Sequence, residues 1–409
     1  MLTPVQQGAL DYADTLRRWD AAFCAARERV APAGTLPDPM LSLGYENDGA
    51  SFSLGEEPMT RLSLMAEQQI PWPGKLRAAA KLAGADVAVV EARLARIRLS
   101  VEAAVRRAAA RLLEARELEA VTREQGTTWE RIEAVARNRY AAGMGTQQDV
   151  LRAQAERTRL LQQARRDEAA GRAALAELRR LLLRGPDEPL SLAGGLADSL
   201  PEAPDAAAER ARAEEESPEL ALVRKVAERE TLAIDLARRD RAPDLVASAG
   251  YMNRGSLPLM WSVGLGVSVP LFSSRKQEPR VREAEARLAA ATAAESDVRS
   301  LLLARTEERL ALLDQLAEEA RLDRESLLVQ DRLAVEAALA SYGTGTVPFV
   351  TVLEAIGTEF SDRRASLARL AGFRAARADL LELSLEGVAA MTPSAAPAAP
   401  AAMSAGGAM

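Results

Sequence analysis

The chain of 409 residues contains no histidine and a single cysteine, Cys24. These two shortages remove most common chemistry at once. Without imidazole there is no Ser-His-Asp or Cys-His nucleophile, and with one thiol no zinc pattern can be assembled. The expectation is a protein that is not an enzyme and uses no cofactor or metal. Cys24 sits in the amphipathic run LRRWDAAFCAARERV, where it reads as a small apolar residue rather than a ligand. Aromatics make up only 4 % of the chain, while Ala, Leu, Arg and Glu abound, which suits long helices better than a compact globule. Excess positive charge is missing too. The 53 basic and 59 acidic residues are interspersed and sum to −6, so no nucleic-acid footprint appears. Long apolar runs are also absent. Asp11, Asp14, Arg17, Arg18 and Asp20 interrupt the first thirty residues, and no secretory leader is visible. The least charged stretch, 255–274, contains Pro258, Pro270 and alternating Gly and Ser, which excludes a spanning helix.

What is present is a repeat. YAAGMGTQQDVLRAQ, starting at Tyr140, returns as YGTGTVPFVTVLEAI, starting at Tyr342. The interval of 202 residues also relates Gly143 to Gly345, Val150 to Val352, Leu151 to Leu353 and Ala153 to Ala355. Each copy lies between long Ala/Leu/Arg-rich segments, and its Gly-x-Gly supplies the backbone freedom that ends one helix and starts the return. The copies read as the tips of two helical hairpins in a duplicated chain. No proline falls between Gly74 and Gly185. Lys75 to Tyr140 alone would span about 100 Å as continuous helix. Val87, Val90, Leu94, Ile97 and Val101 step by three and four, as a coiled-coil seam does.

Before each hairpin lies a pair of segments with period two. Leu41, Leu43 and Tyr45 alternate with small or polar residues, as do Leu62, Leu64, Ala66 and Ile70. The second pair is PDLVASAGYMN and MWSVGLGVSVPLF. In the latter, Trp261, Val263, Leu265, Val267 and Val269 share one face, opposite Ser262, Gly264, Gly266 and Ser268. The rest of the chain is charged helix and offers little to cover that face. A lipid-facing surface with a small, polar reverse is the pattern of a membrane β-barrel. Trp72 with Lys75, and Phe272 with Arg275 and Lys276, end the second strand of each pair as an interfacial belt would. Four strands cannot close a barrel, and lipid does not tolerate open edges, so several copies would have to share one.

The expected segments are an N-terminal helix within 1–38, a β-hairpin at 39–72, and a helical hairpin at 73–192. A linker at 193–216 and a helix at 217–242 follow. A β-hairpin at 243–272, a helical hairpin at 273–389, and a disordered tail at 390–409 complete the chain. The long outgoing helix of the second hairpin is expected to start at Pro279. The Pro/Gly/acid-rich stretch 185–216 reads as connector, after which SPEL at Ser217 restarts a helix.

DPMLSLGYE, QQIPWPGK, PDLVASAGYM, MWSVGLGVSVPLF with Arg275 and Lys276, and the two YxxG…VLxA tips together resemble the TolC-like outer-membrane efflux family over essentially the whole chain. The resemblance implies a homotrimer with a twelve-stranded barrel in outer-membrane lipid and a helical barrel in the periplasm. It would be a passive exit duct joined by a periplasmic adaptor to an inner-membrane pump. QQIPWPGK and MWSVGLGVSVPLF look like the branch serving heavy-metal cation pumps. By position, the resemblance assigns adaptor docking to Ala142, Gly143, Met144, Thr344, Gly345 and Thr346. It likewise assigns the periplasmic gate to Asp149, Thr351 and Glu354. Thr351 stands where an acid is common and Val347 where some members carry a base, so a salt-bridged latch there is not expected. Read physically, Asp149 and Glu354 either make a negative ring at a constriction or are solvated acids at helix starts.

Met59, Met65, Met144, Met252 and Met260 read as packing residues, since no histidine or second cysteine accompanies them. The competing reading is a soluble, Ala-rich coiled-coil scaffold with incidental β-hairpins. The missing leader favours the scaffold and the apolar strand face favours the duct. The expectation that reconciles them is either a true start upstream of Met1 or a truncated or processed form of the chain.

Overall fold

The computed structural model describes residues 14–48, 52, 54, 59–190, 192, 194–196, 198 and 200–383. The expected disordered tail lies outside the described residues. In chain order the helices are α1 (Asp14–Glu28), α2 (Val30–Ala33), α3 (Lys75–Ala141), α4 (Gln147–Leu181), α5 (Ala206–Glu216) and α6 (Pro218–Arg239). They continue with α7 (Ser273–Leu322), a π-helical turn (Asp323–Leu327), α8 (Leu328–Thr344) and α9 (Phe349–Glu382). The strands are β1 (Met40–Glu46), β2 (Arg61–Ile70), β3 (Asp244–Asn253) and β4 (Met260–Ser268).

Two expectations need correction. Part of the 193–216 linker is helical, because AAAERARAEEE is built of strong helix formers and Asp205 caps it, accepting from Ala207 N at 3.0 Å. The second outgoing helix starts at Ser273 rather than Pro279, which sits inside its early turns.

The chain divides into two compact units. One comprises residues 19–94 and 220–298 and holds the sheet. Its four strands run antiparallel in the order β1-β2-β3-β4, so β2 and β3 join the two sequence-distant hairpins. The register aligns Leu43, Leu64, Tyr251 and Trp261 in one row, and Leu41, Ala66, Ala249 and Val263 in the next. On the reverse face glycines oppose serines: Gly44 with Ser63, Gly250 with Ser262, and Gly264 with Ser248. A Cβ at Gly250 or Gly264 would lie 2.6 Å from the facing hydroxyl, so a larger residue there would force the serine to turn away.

The other unit comprises residues 1–18, 95–219 and 299–409. Its described part is helical. In the first hairpin Val105, Ala108 and Leu112 of α3 pack on Leu178, Leu181 and Leu182. In the second, Leu310 and Leu313 of α7 pack on Ala376 and Leu380 of α9. Leu113, Leu196 and Ala371 join the two hairpins. Between the apolar layers lies a buried ionic group centred on Asp167. Asp167 accepts from Thr122 Oγ1 (2.6 Å), Gln163 Nε2 (2.9 Å) and both terminal nitrogens of Arg364 (2.8 Å each), tying α3, α4 and α9.

Candidate functional site

Two surfaces carry the residues singled out from the sequence. The first is the sheet. Trp261, Val263 and Leu265 are 74, 73 and 77 % exposed, and Val267, Val269, Leu41, Leu43 and Leu64 are exposed with them. The described side chains therefore leave this face uncovered. β1 and β4 are the sheet edges and have no further strand partner among the described residues. No helix of the described residues is long and apolar enough to cross a membrane, which says nothing about strands.

The proposed belt is placed unevenly. Trp72, Phe272, Arg275 and Lys276 are exposed. Lys75 is not; it is buried, and its ammonium donates to Ala242 O and Asp244 Oδ1, both at 2.8 Å. The same carboxylate oxygen accepts from Trp72 N at 2.9 Å. Lys75 thus joins the start of α3 to the start of β3 and is not a surface cation.

The second surface is the pair of hairpin tips. Gly143 and Gly345 have φ of +70° and +79°, the left-handed backbone that glycine favours. Their closing bonds match at the same interval: Met144 N donates to Arg139 O (2.9 Å) and Thr346 N to Ser341 O (3.0 Å). Ala142, Met144, Thr344 and Thr346 are exposed. Beneath the tips, Trp129, Ile132, Ala153, Tyr342, Phe349 and Val352 form a shared core.

Arg139 brings the tips together, and the sequence reading missed it. Its guanidinium donates to Met144 O (3.2 Å) in its own tip and to Gly343 O (3.0 Å) and Tyr342 O in the other. It also stacks over the Tyr342 ring at 4.6 Å. A cation at the end of a helix next to Gly-x-Gly was the available signal. The Tyr342 hydroxyl is buried and has no hydrogen-bond partner among the described residues. Burial and the nearby Asp149 carboxylate push its pKa up, against the opposing pull of Arg139.

Asp149 closes a capping box: its backbone N–H donates to Thr146 Oγ1 (3.3 Å), and its carboxylate accepts from Thr146 N (3.5 Å). Thr351 is half-buried and Glu354 exposed. Among the described residues no hydrogen bond or ion pair joins Asp149, Thr351 and Glu354. Nor does any group of three or more Asp, Glu, Cys or His side chains among them suit a metal ion.

The sequence profile of the outer membrane efflux proteins matches residues 7–182 and 206–384, well over half of the chain. The chain belongs to the outer membrane efflux protein family. Solved structures of such proteins share its fold. The outer membrane protein VceC of Vibrio cholerae superposes with a TM-score of 0.73 at 19 % identity, covering 92 % of this chain and 93 % of that one. The MtrE outer membrane channel of Neisseria gonorrhoeae in its open state gives 0.77 at 17 %, covering 93 and 87 %. CusC, described with its transmembrane channel formation, gives 0.77 at 14 %, covering 93 and 90 %. No curated protein sequence matches at a significant level. Within the efflux protein family, the duplicated helical hairpins and the four-stranded sheet are the shared architecture, and enzymatic activity is not part of it.

Proposed function

We propose that the chain is one third of a passive exit duct in the outer membrane. Segments 39–72 and 243–272 of three copies would pool twelve strands into one closed barrel. Segments 73–192 and 273–389 would form a helical barrel in the periplasm. One observation carries this reading: among the described residues, nothing covers the apolar face of the sheet and neither of its edges has a further strand partner. Hydrocarbon accepts such a face, and closure across copies satisfies the edges. Water accepts neither, which counts against the soluble scaffold.

In this reading Trp72, Phe272, Arg275 and Lys276 lie at the membrane interface, without Lys75. The exposed tips at Ala142, Gly143, Met144, Thr344, Gly345 and Thr346 would receive a periplasmic adaptor, which links the duct to an inner-membrane pump. Its cargo would be metal cations or small toxic compounds. Fractionation tests the proposal. The protein should be found in detergent-extracted outer membrane as a trimer that dissociates in SDS only on heating. Recovery as a soluble monomer would overturn it.

Three copies of Asp149 and Glu354 at a constriction would favour cations over anions. Asp149→Ala would also break the capping box, so the sharper test is Asp149→Asn with Glu354→Gln, which keeps both shapes. Planar-bilayer recordings should show raised conductance and cation selectivity lowered about severalfold. Unchanged selectivity would remove the gate assignment and leave Asp149 with its capping role.

A further inference from the structure

The two copies do not keep one interval throughout. On the outgoing helices, upstream positions are related by 201 residues: Val101 to Leu302, Val105 to Thr306, Leu112 to Leu313, and Thr122 to Asp323. All eight are buried. Beyond that point the interval is 202: Ala136 to Ala338, both buried, and Tyr140 to Tyr342. It remains 202 along the return helices, where Val150, Val352, Leu178 and Leu380 are all buried. One residue has therefore entered the second outgoing helix between 323 and 338. The π-helical turn at Asp323–Leu327 lies at the start of that window.

An extra residue in a regular α-helix rotates everything after it by about 100°, which would turn the downstream core face to solvent. A single wide turn absorbs the residue instead, and both seams stay inward. α3 needs no such device and runs unbroken over the matching stretch.

Ala320, Arg324 and Leu328 face Leu367 and Leu370 of α9, and Ala120 and Val121 of α3, across a cavity of about 470 Å³. Arg369 of α9 clamps the turn, donating through Nε and Nη2 to the buried Asp323 carboxylate, at 2.7 Å each. We infer that the second copy carries a one-residue insertion kept as a clamped hinge, a local loosening of the outgoing helix that the first copy lacks. The turn loosens the helix ladder, and the Arg369–Asp323 pair limits that loosening.

Hydrogen exchange on the full chain in detergent tests this by reading the backbone, whether or not transport occurs. Amides at 323–328 should exchange about tenfold faster than those at 122–127. Deleting Ser326, an exposed residue of the turn, should leave a folded protein whose exchange there falls to the level of the first copy. Deleting Gly126 from α3 should disrupt the tip core, since no wide turn can take up the loss. Arg369→Gln should speed exchange at 323–328 by about another tenfold at unchanged helix content. Equal exchange in the two copies of the wild-type chain would overturn the hinge. Loss of fold on deleting Ser326, or tolerance of the Gly126 deletion to the same degree, would overturn the insertion.

Discussion

With arginine in place of Leu265, the protein should no longer accumulate as a heat-dissociable trimer in the outer membrane. Leu265 is 77 % exposed near the middle of β4, on the face it shares with Trp261 and Val263. An arginine facing hydrocarbon near the bilayer midplane costs about 2–4 kcal/mol, falling toward zero at the interfaces. A shared barrel would incur that cost once per copy. The effect should depend on which face is changed. Gln69 lies on the reverse face, in register with Val246 and Gly266. Gln69→Arg should therefore leave membrane assembly intact. Comparing the two variants by fractionation and unheated SDS gels separates the readings. A soluble scaffold would tolerate Leu265→Arg or gain solubility from it. Normal outer-membrane levels of the Leu265→Arg trimer would show that this face does not meet lipid.

The strands were legible because alternation is local. Trp261 to Val269 reveals its two faces without knowledge of any partner, and the structure keeps those faces. The tips were legible because the chain repeats them. What escaped depends on residues far apart in sequence or on backbone acceptors. Lys75 beside Trp72 has the composition of a membrane belt, yet its ammonium is bound by Asp244, 169 residues away. Arg139 makes its hydrogen bonds with main-chain carbonyls, which any residue can supply, so its one trace in the sequence is a cation at a helix end beside Gly-x-Gly. The Thr146–Asp149 spacing did carry the signature of a capping box, and it assigns a structural job to an acid that also suits a gate. α5 was hidden because AAAERARAEEE adjoins a Pro/Gly-rich stretch and shares its acidity. The π-turn could not be seen from the tips alone, because an interval measured at one place cannot reveal that it changes elsewhere.

The buried Asp167 group gives the second large expected effect, this time on stability. Burial alone would raise the Asp167 pKa. Hydrogen bonds from Arg364, Thr122 and Gln163 outweigh it and hold the carboxyl below its usual range. A group with a depressed folded pKa stabilises the protein above its unfolded value, about 3.9 for aspartate, and that contribution is lost as pH falls through the folded value. Asp167→Asn preserves shape but leaves the Arg364 guanidinium without its charge partner inside the helix packing. The cost should be about 3 kcal/mol, less than for a fully dry pair because the Arg364 side chain retains 20 % exposure. Replacing the group by apolar residues, as in Asp167→Leu with Arg364→Met and Thr122→Val, should recover most of that loss, since no buried charge remains. Urea titrations in detergent, followed by helix content, should rank the wild type near the triple variant and well above Asp167→Asn at neutral pH. Below pH 4 the gap between wild type and Asp167→Asn should narrow, because acid removes the same charge. A gap that stays constant with pH would mean that the ion pair contributes little and that the asparagine variant fails through packing.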